Sequence, residues 1–233
     1  MEQLFYAPDI MIVSELPEEE SQHCMRVLRM KAGDAISITD GKGFFYTANI
    51  VNTHQKHCQV SITKRWPQKR LKDCNIHIAV APPKNIDRME WLVEKATETG
   101  VDTITCLHCR RSERKEVKLQ RLHKIAVSAM KQSQKAFLPQ INEMIPFREF
   151  IRQDFNGMKM IAHCADDIKQ LIKNVYLPNL PALILIGPEG DFSQEEIDDA
   201  LIAGFTPVSL GESRLRTETA ALVACLTIHL LNQ

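Results

Sequence analysis

The chain has 233 residues, 29 Lys and Arg against 29 Asp and Glu, with 44% hydrophobic and 25% charged residues. This is an ordinary globular composition, long enough to bury a core as one large domain or as a small and a medium one. The longest apolar run, ALILI at 182–186, is too short to cross a bilayer, and MEQLFYAPDI lacks a basic and apolar leader, so a cytoplasmic protein without a signal peptide is expected.

In chain order, the first 70 residues read as β-rich. PEEESQHCMRVLRM (17–30) has acids at its start and arginines at its end, the polarity a helix dipole favours. AISITDG, GFFYTANIV and HCQVSITKRW then read as strands, with DGKG (40–43) as a tight hairpin turn. KRWPQKRLKD (64–73), polar and broken by Pro67, reads as a linker. From Cys74 the rhythm changes to alternating strand and helix. CNIHIAVA is a strand. NIDRMEWLVEKATETG is a helix with Met89, Leu92, Val93 and Ala96 on one face and Gly100 at its end. VDTITCL is a strand, KLQRLHKIAVSAMKQSQKAF a helix, and QINEMI a strand followed by a short helix. KMIAHC is a strand, DDIKQLIKNV a helix and LPALILI a strand buried on both faces. Ser193 and Glu196 form a capping box for QEEIDDALIAG; TPVSL is a strand, and ETAALVACLTIHLLN closes the chain as a helix. The pattern predicts a small β module, residues 1–70, before a parallel α/β domain, residues 74–233.

The zero net charge hides local excesses. Between Cys106 and Lys135 stand nine Lys and Arg against two Glu, and Lys64–Lys72 adds five basic residues and no acid. Such patches are an electrostatic footprint for a polyanion, the alternative being a solvated helix face. Seven scattered cysteines give no disulfide framework. Cys106 and Cys109 form a CxxC without a second ligand pair at zinc spacing, so no metal is expected; the two read as incidental strand-end cysteines, the alternative being a redox pair that nothing else in the sequence supports.

In a parallel α/β domain ligands lie beyond the carboxyl ends of the strands, which draws attention to the loops ADD, GPEGDF and GESRLRTET. Dinucleotide fingerprint, P-loop and nucleophile elbow are all missing. GPEG (187–190) is either a plain turn or a bare backbone surface for a neutral heterocycle such as adenine. LRTETAALVACL (215–226) places four polar residues against an apolar helix; Thr217 can cap that helix and Glu218 suits its dipole, but Arg216 and Thr219 stay unexplained by capping.

LILIGPEGDFSQEEI, VSLGESRLRTETAAL and HCMRVLRMKAGD, with KNIDRMEWLVEKATETGV, SERKEV and AMKQSQKAFLPQI, together resemble the ribosomal RNA small-subunit methyltransferase E family, over nearly the whole chain and in order. The resemblance implies a SPOUT α/β trefoil-knot domain with a parallel sheet, preceded by a PUA-like β-barrel that binds RNA. It implies an S-adenosylmethionine-dependent enzyme, working as a homodimer without metal or membrane, that methylates N3 of a uracil in 16S ribosomal RNA within the small subunit. The chain departs from the family pattern at Asp191, where a second glycine is usual, and at Glu212 and Ser213, where Pro-Arg is usual and an arginine follows one place later at Arg214. By resemblance, the cofactor falls to Ile186, Gly187, Glu189, Gly190, Leu210, Gly211, Leu215, Arg216 and Ala220. Arg216 and Arg214 are candidates to stabilise the developing imide oxygens and Glu218 is a candidate base. His23, Arg26 and Arg29, spaced as one helix face, and Lys84, Arg88, Arg111, Arg114 and Lys115 are the candidate RNA contacts. The rivals are a SPOUT enzyme acting on another RNA or base atom, a non-catalytic RNA-binding protein with this fold, and a nucleotide-dependent α/β enzyme of another class.

Overall fold

The computed structural model describes residues 3–70, 74–165 and 169–233. They fall into two contact units, Met1–Lys69 with Val127–Leu138, and Arg70–Ala126 with Pro139–Gln233.

The first unit carries β1 (Leu4–Tyr6), α1 (Ile10–Val13), α2 (Glu18–Gln22), β2 (Ala35–Thr39), β3 (Phe44–Asn52) and β4 (Gln59–Pro67). β1 runs parallel to β2, and β2, β3 and β4 are antiparallel neighbours. The chain after α1 returns to the outer edge of β4, where Val60 N donates to Ser14 O and Leu16 N to Cys58 O. Both edges of the sheet are thereby joined through one continuous stretch, and it curls into a small barrel around Phe5, Ile10, Leu16, Ile38, Tyr46 and Ile50. Asp40 shapes the expected hairpin turn: its Oδ1 accepts from Lys42 N and Phe44 N, and its Oδ2 from the buried Tyr46 hydroxyl. Gly43 (φ 108°) donates its N–H to Ala136 O at 2.8 Å, and a Cβ there would lie 2.6 Å from the Phe137 ring.

Two expectations for this unit are corrected. Lys64–Pro67 belong to β4, opposite Phe44–Thr47, rather than to a linker. Their polarity suits an exposed strand whose residues still pack, as Arg65 does with its guanidinium 3.7 Å from the Phe44 ring centroid. Leu71–Asp73 of that stretch lie outside the described residues. The helix of 17–30 is also shorter and changes form: α2 passes into a π-helical turn over His23–Val27, and Arg29 sits beyond it at φ 55°. The wider π turn and the left-handed residue break the i, i+3, i+6 repeat, so His23, Arg26 and Arg29 do not share one helix face.

The second unit carries β5 (Ile76–Val80), α3 (Ile86–Thr99), β6 (Thr103–His108), the first part of α4 (Leu119–Gln132), β7 (Gln140–Pro146), α5 (Phe147–Phe150), β8 (Met158–Ala162), β9 (Gln170–Leu171), α6 (Ile172–Val175), β10 (Ala182–Ile186), α7 (Gln194–Ile202), β11 (Thr206–Ser209) and α8 (Thr217–Leu231). Seven parallel strands take the order β7-β6-β5-β10-β8-β11-β9. β10 inserts between β5 and β8, and β11 between β8 and β9, so the last crossings interleave with earlier ones, as the trefoil-knot fold requires. β10 is buried at every position, which is why ALILI reads as a continuous apolar run.

Local signals explain the helices. Asn85 caps α3 by accepting from Asp87 N, and Gly100 ends it at φ 100°, with Met89, Leu92, Val93 and Ala96 buried as expected. The capping box of Ser193 and Glu196 starts α7. The helix expected over 166–175 is corrected to edge strand β9 and a single turn, α6; Asp166–Ile168 lie outside the described residues. α4 ends at Gln132 rather than Phe137, and Gln134 then takes φ 54°. No described helix is long and apolar enough to cross a membrane.

Gly43→Ala should lower the urea-unfolding free energy by about 1–3 kcal/mol, through the left-handed backbone and the clash with Phe137. Removing the ring as well, in Gly43→Ala/Phe137→Ala, should leave the double variant more stable than the sum of the single losses; strict additivity would remove Phe137 as the cause.

Candidate functional site

All strands of the second sheet point the same way, so the loops leaving β5, β6, β8, β10 and β11 gather at its carboxyl edge. The GPEG turn leaves the fully buried β10 and leads into α7. Its backbone cannot be left bare, and other loops tether it. Arg111 donates from Nη1 to Gly190 O at 2.7 Å and to Phe192 O at 3.3 Å. The Glu189 carboxylate accepts from Lys84 N at 3.0 Å, and Arg114 donates to Pro83 O and Lys84 O. Glu196 accepts from Ser193 N, completing its cap, and with its other oxygen from Arg110 N. Asp191 sits at φ 62°, a conformation that favours glycine and that aspartate tolerates. Its carboxylate then accepts from Cys164 N at 2.8 Å, joining the GPEG turn to the loop after β8.

The second conspicuous stretch, Leu215–Leu226, opens differently from the sequence expectation. Arg216 is the N-cap residue of α8, with no side-chain cap bond, and Thr217 is already the first helical residue. The buried Thr217 hydroxyl donates to Gly187 O at 3.0 Å, so it fastens the two loops together instead of capping the helix. Glu218 is buried, with Oε1 3.8 Å from Arg88 Nε and Oε2 without a hydrogen-bond partner among the described residues.

A cavity of about 770 Å³ opens at the ends of β8 and β11. Ala162–Ala165 and Lys169 form one side, and Val208–Leu215 with Ala220 the other. Leu210, Gly211, Arg214, Leu215 and Ala220 of the nominated residues therefore line one space, and Gly211 reaches its φ of 123° with nothing within 4 Å of where a Cβ would stand. Ile186, Gly187, Glu189 and Gly190 are not among its lining residues; they form the end of β10 and the tethered turn. Arg216 and Glu218 border a different, smaller cavity of about 380 Å³ with Asp87, Arg88, Trp91 and Thr219. The structure thus separates Arg214 from Arg216 and Glu218. His163, Cys164, Lys169 and Ser209 join the larger cavity without having been singled out; the loop after β8 was conspicuous by position, but its residues carry no motif.

Comparison with known proteins decides the kinship. The family described as RNA methyltransferase domain matches residues 70–229, and the RNA methyltransferase PUA domain matches residues 16–63. The curated protein Ribosomal RNA small subunit methyltransferase E from Buchnera aphidicola is 29% identical over 223 residues, 92% of this chain and 86% of that one. This chain belongs to the ribosomal RNA small subunit methyltransferase E family. Among solved structures of similar chains, a probable rRNA-methyltransferase from Porphyromonas gingivalis is 46% identical with a TM-score of 0.93, over 99% of this chain and 98% of that one. Ribosomal RNA small subunit methyltransferase E from Neisseria gonorrhoeae, solved bound to S-adenosyl methionine, is 28% identical with a TM-score of 0.88 over the same shares. The fold of the second unit is accordingly the SPOUT α/β trefoil knot of the family, and the first is its PUA-like barrel.

Within that family frame, the nominated cations divide by what they already hold. Arg111 and Arg114 are committed to loop carbonyls, and Lys84 Nζ pairs with Glu113 at 2.7 Å. In the barrel, Arg26 donates twice to Gln55, His23 lies beside Gln3, and Arg29 is exposed, as is Lys115 in the second unit. Burial pushes the Cys106 thiol up to about 12 and that of Cys109 higher still, so neither is a thiolate at neutral pH. No group of three or more His, Cys, Asp or Glu among the described residues could hold a metal ion.

Thr217→Val keeps the side-chain shape but leaves buried Gly187 O unpaired, and should cost about 1–3 kcal/mol in chemical denaturation. Thr217→Ser should recover most of that loss, and equal stability of all three proteins would show the bond to be idle.

Proposed function

We propose that this protein is an S-adenosylmethionine-dependent methyltransferase that methylates N3 of a uracil in 16S ribosomal RNA. The observation that carries the reading is the 770 Å³ cavity at the carboxyl ends of β8 and β11, of a size suited to a cofactor. Its lining fits the chemistry of that cofactor. Leu210, Leu215, Val208 and Ala220 offer apolar surface, backbone groups of Ser209–Ser213 can meet a heterocycle edge, and Glu212, Lys169 and Arg214 offer both signs of charge to an amino-acid moiety. A relative solved bound to S-adenosyl methionine, with a TM-score of 0.88, supports the same assignment.

S-adenosylmethionine, when bound, supplies an electrophilic methyl group. The chain's own task is to hold it and to make uracil N3 nucleophilic, since neutral N3 carries a proton that must leave. The nominated Ile186, Gly187, Glu189 and Gly190 act through the shape of the turn, which Thr217 and Arg111 fix. Arg216 stabilises negative charge that develops on the imide oxygens, and Glu218 accepts the N3 proton. Arg214, facing the larger cavity, serves the cofactor side. Residues 1–70 dock RNA through His23, Arg26 and Arg29, and Lys84, Arg88 and Lys115 extend that role in residues 74–233; the committed guanidiniums of Arg111 and Arg114 shape loops there. Exposed Leu226 and Leu230 on α8 support a homodimer, which acts in the cytoplasm on the small ribosomal subunit.

Calorimetric titration should find one S-adenosylmethionine site per chain. Arg216→Ala should lose most methyl transfer to small subunits from cells lacking the protein, read by mass mapping of 16S ribosomal RNA, while its fold and cofactor affinity persist. Near-normal turnover would take Arg216 out of the mechanism. Binding of RNA should fall linearly in log K against log salt, and an affinity indifferent to salt would exclude the basic residues as the docking face.

A further inference from the structure

The smaller cavity, about 380 Å³, lies where the start of α3 meets the first turn of α8. It flanks the same helical turn as the larger one: Leu215 and Ala220 face one cavity, Arg216, Glu218 and Thr219 the other. Four charged side chains line it, Arg88 and Arg216 against Asp87 and Glu218, so their formal charges cancel. A cavity balanced in this way is unsuited to a phosphate and suits a neutral ligand rich in donors and acceptors. Glu218 is 7% exposed, and its buried Oε2 has no hydrogen-bond partner among the described residues, which leaves an unsatisfied acceptor in the cavity wall. Trp91, by contrast, is 40% exposed and presents its apolar ring to the cavity.

Resting on the methyltransferase reading above, we infer that this cavity is the pocket for the target base, a uracil swung out of its RNA and stacked on Trp91. The Watson–Crick edge of uracil is one N–H between two carbonyl oxygens. Glu218 accepts from N3–H, and Arg88 and Arg216 donate to the flanking oxygens. Cytosine lacks that N–H and places an acceptor against the carboxylate, so the pocket discriminates against it. Enzymes that modify a base inside structured RNA need such a receptacle, and aromatic stacking with edge recognition is its usual construction.

The chain has two tryptophans, Trp66 and Trp91, so Trp66→Phe leaves Trp91 as a single reporter. A short single-stranded RNA with one uridine should quench its fluorescence without any cofactor present. The same RNA carrying 3-methyluridine or cytidine should bind about tenfold more weakly, having lost the N3–H donor. On small ribosomal subunits, Trp91→Ala should raise KM about tenfold or more with S-adenosylmethionine affinity unchanged, and Trp91→Phe should restore most of it. An unquenched Trp91 with an RNA that the protein methylates, or a normal KM for Trp91→Ala, overturns the pocket. So does dissociation of a dimer by Trp91→Ala, which would mean that a second copy covers the ring. If cofactor binding and methylation both fail while uridine still quenches and 3-methyluridine does not, the pocket stands and the methyltransferase reading falls.

Discussion

The backbone of the turn after β10 must be satisfied where the sheet ends, and much of the carboxyl edge is arranged around that need. β10 is buried along its whole length, so the turn that follows emerges beside the core and cannot rely on water for every carbonyl. Arg111 takes Gly190 O, Thr217 takes Gly187 O, and Glu189 reaches back to Lys84 N. Each of these bonds recruits a different loop. What results is a fixed frame of four loops, and the two cavities open beside it.

This explains why the basic stretch after β6 is not simply an RNA-facing surface. Arg110, Arg111 and Arg114 lie within a run poor in acids, and an excess of cations there suggests a polyanion. In the folded chain Arg110 pairs with Glu195, while Arg111 and Arg114 donate to main-chain oxygens. Glu195, from the segment after β10, supplies to Arg110 an acid that the local sequence lacks. Charge counted along a sequence window cannot see partners some eighty residues away.

The elements most legible in the sequence were those whose signals are local. The C-terminal glycine of α3, the capping box of α7, the Asp40–Gly43 turn and the apolar run of β10 each declare themselves within a few residues. Misreadings came where tertiary pairing overrode local appearance: Lys64–Pro67 look like a linker until β3 pairs with them, and Gln170–Leu171 become a strand only because β11 lies alongside. At the candidate site, the glycines and the Arg-Thr-Glu-Thr string were legible as unusual. Their division was not, because which side of α8 each residue faces depends on where the helix begins. Thr217 is one residue inside the helix rather than at its cap, which turns its hydroxyl toward Gly187.

The strand order also fixes a sequence of events in the life of the chain. β5 cannot complete its pairing until β10 arrives roughly a hundred residues later, and β11 enters last, between strands already made. Parallel pairings so distant form slowly. The larger cavity is built wholly from residues after Met160, and its final wall is the start of the last helix. A growing chain emerging from the ribosome can therefore pair the strands of its barrel well before the residues that line the larger cavity have been made.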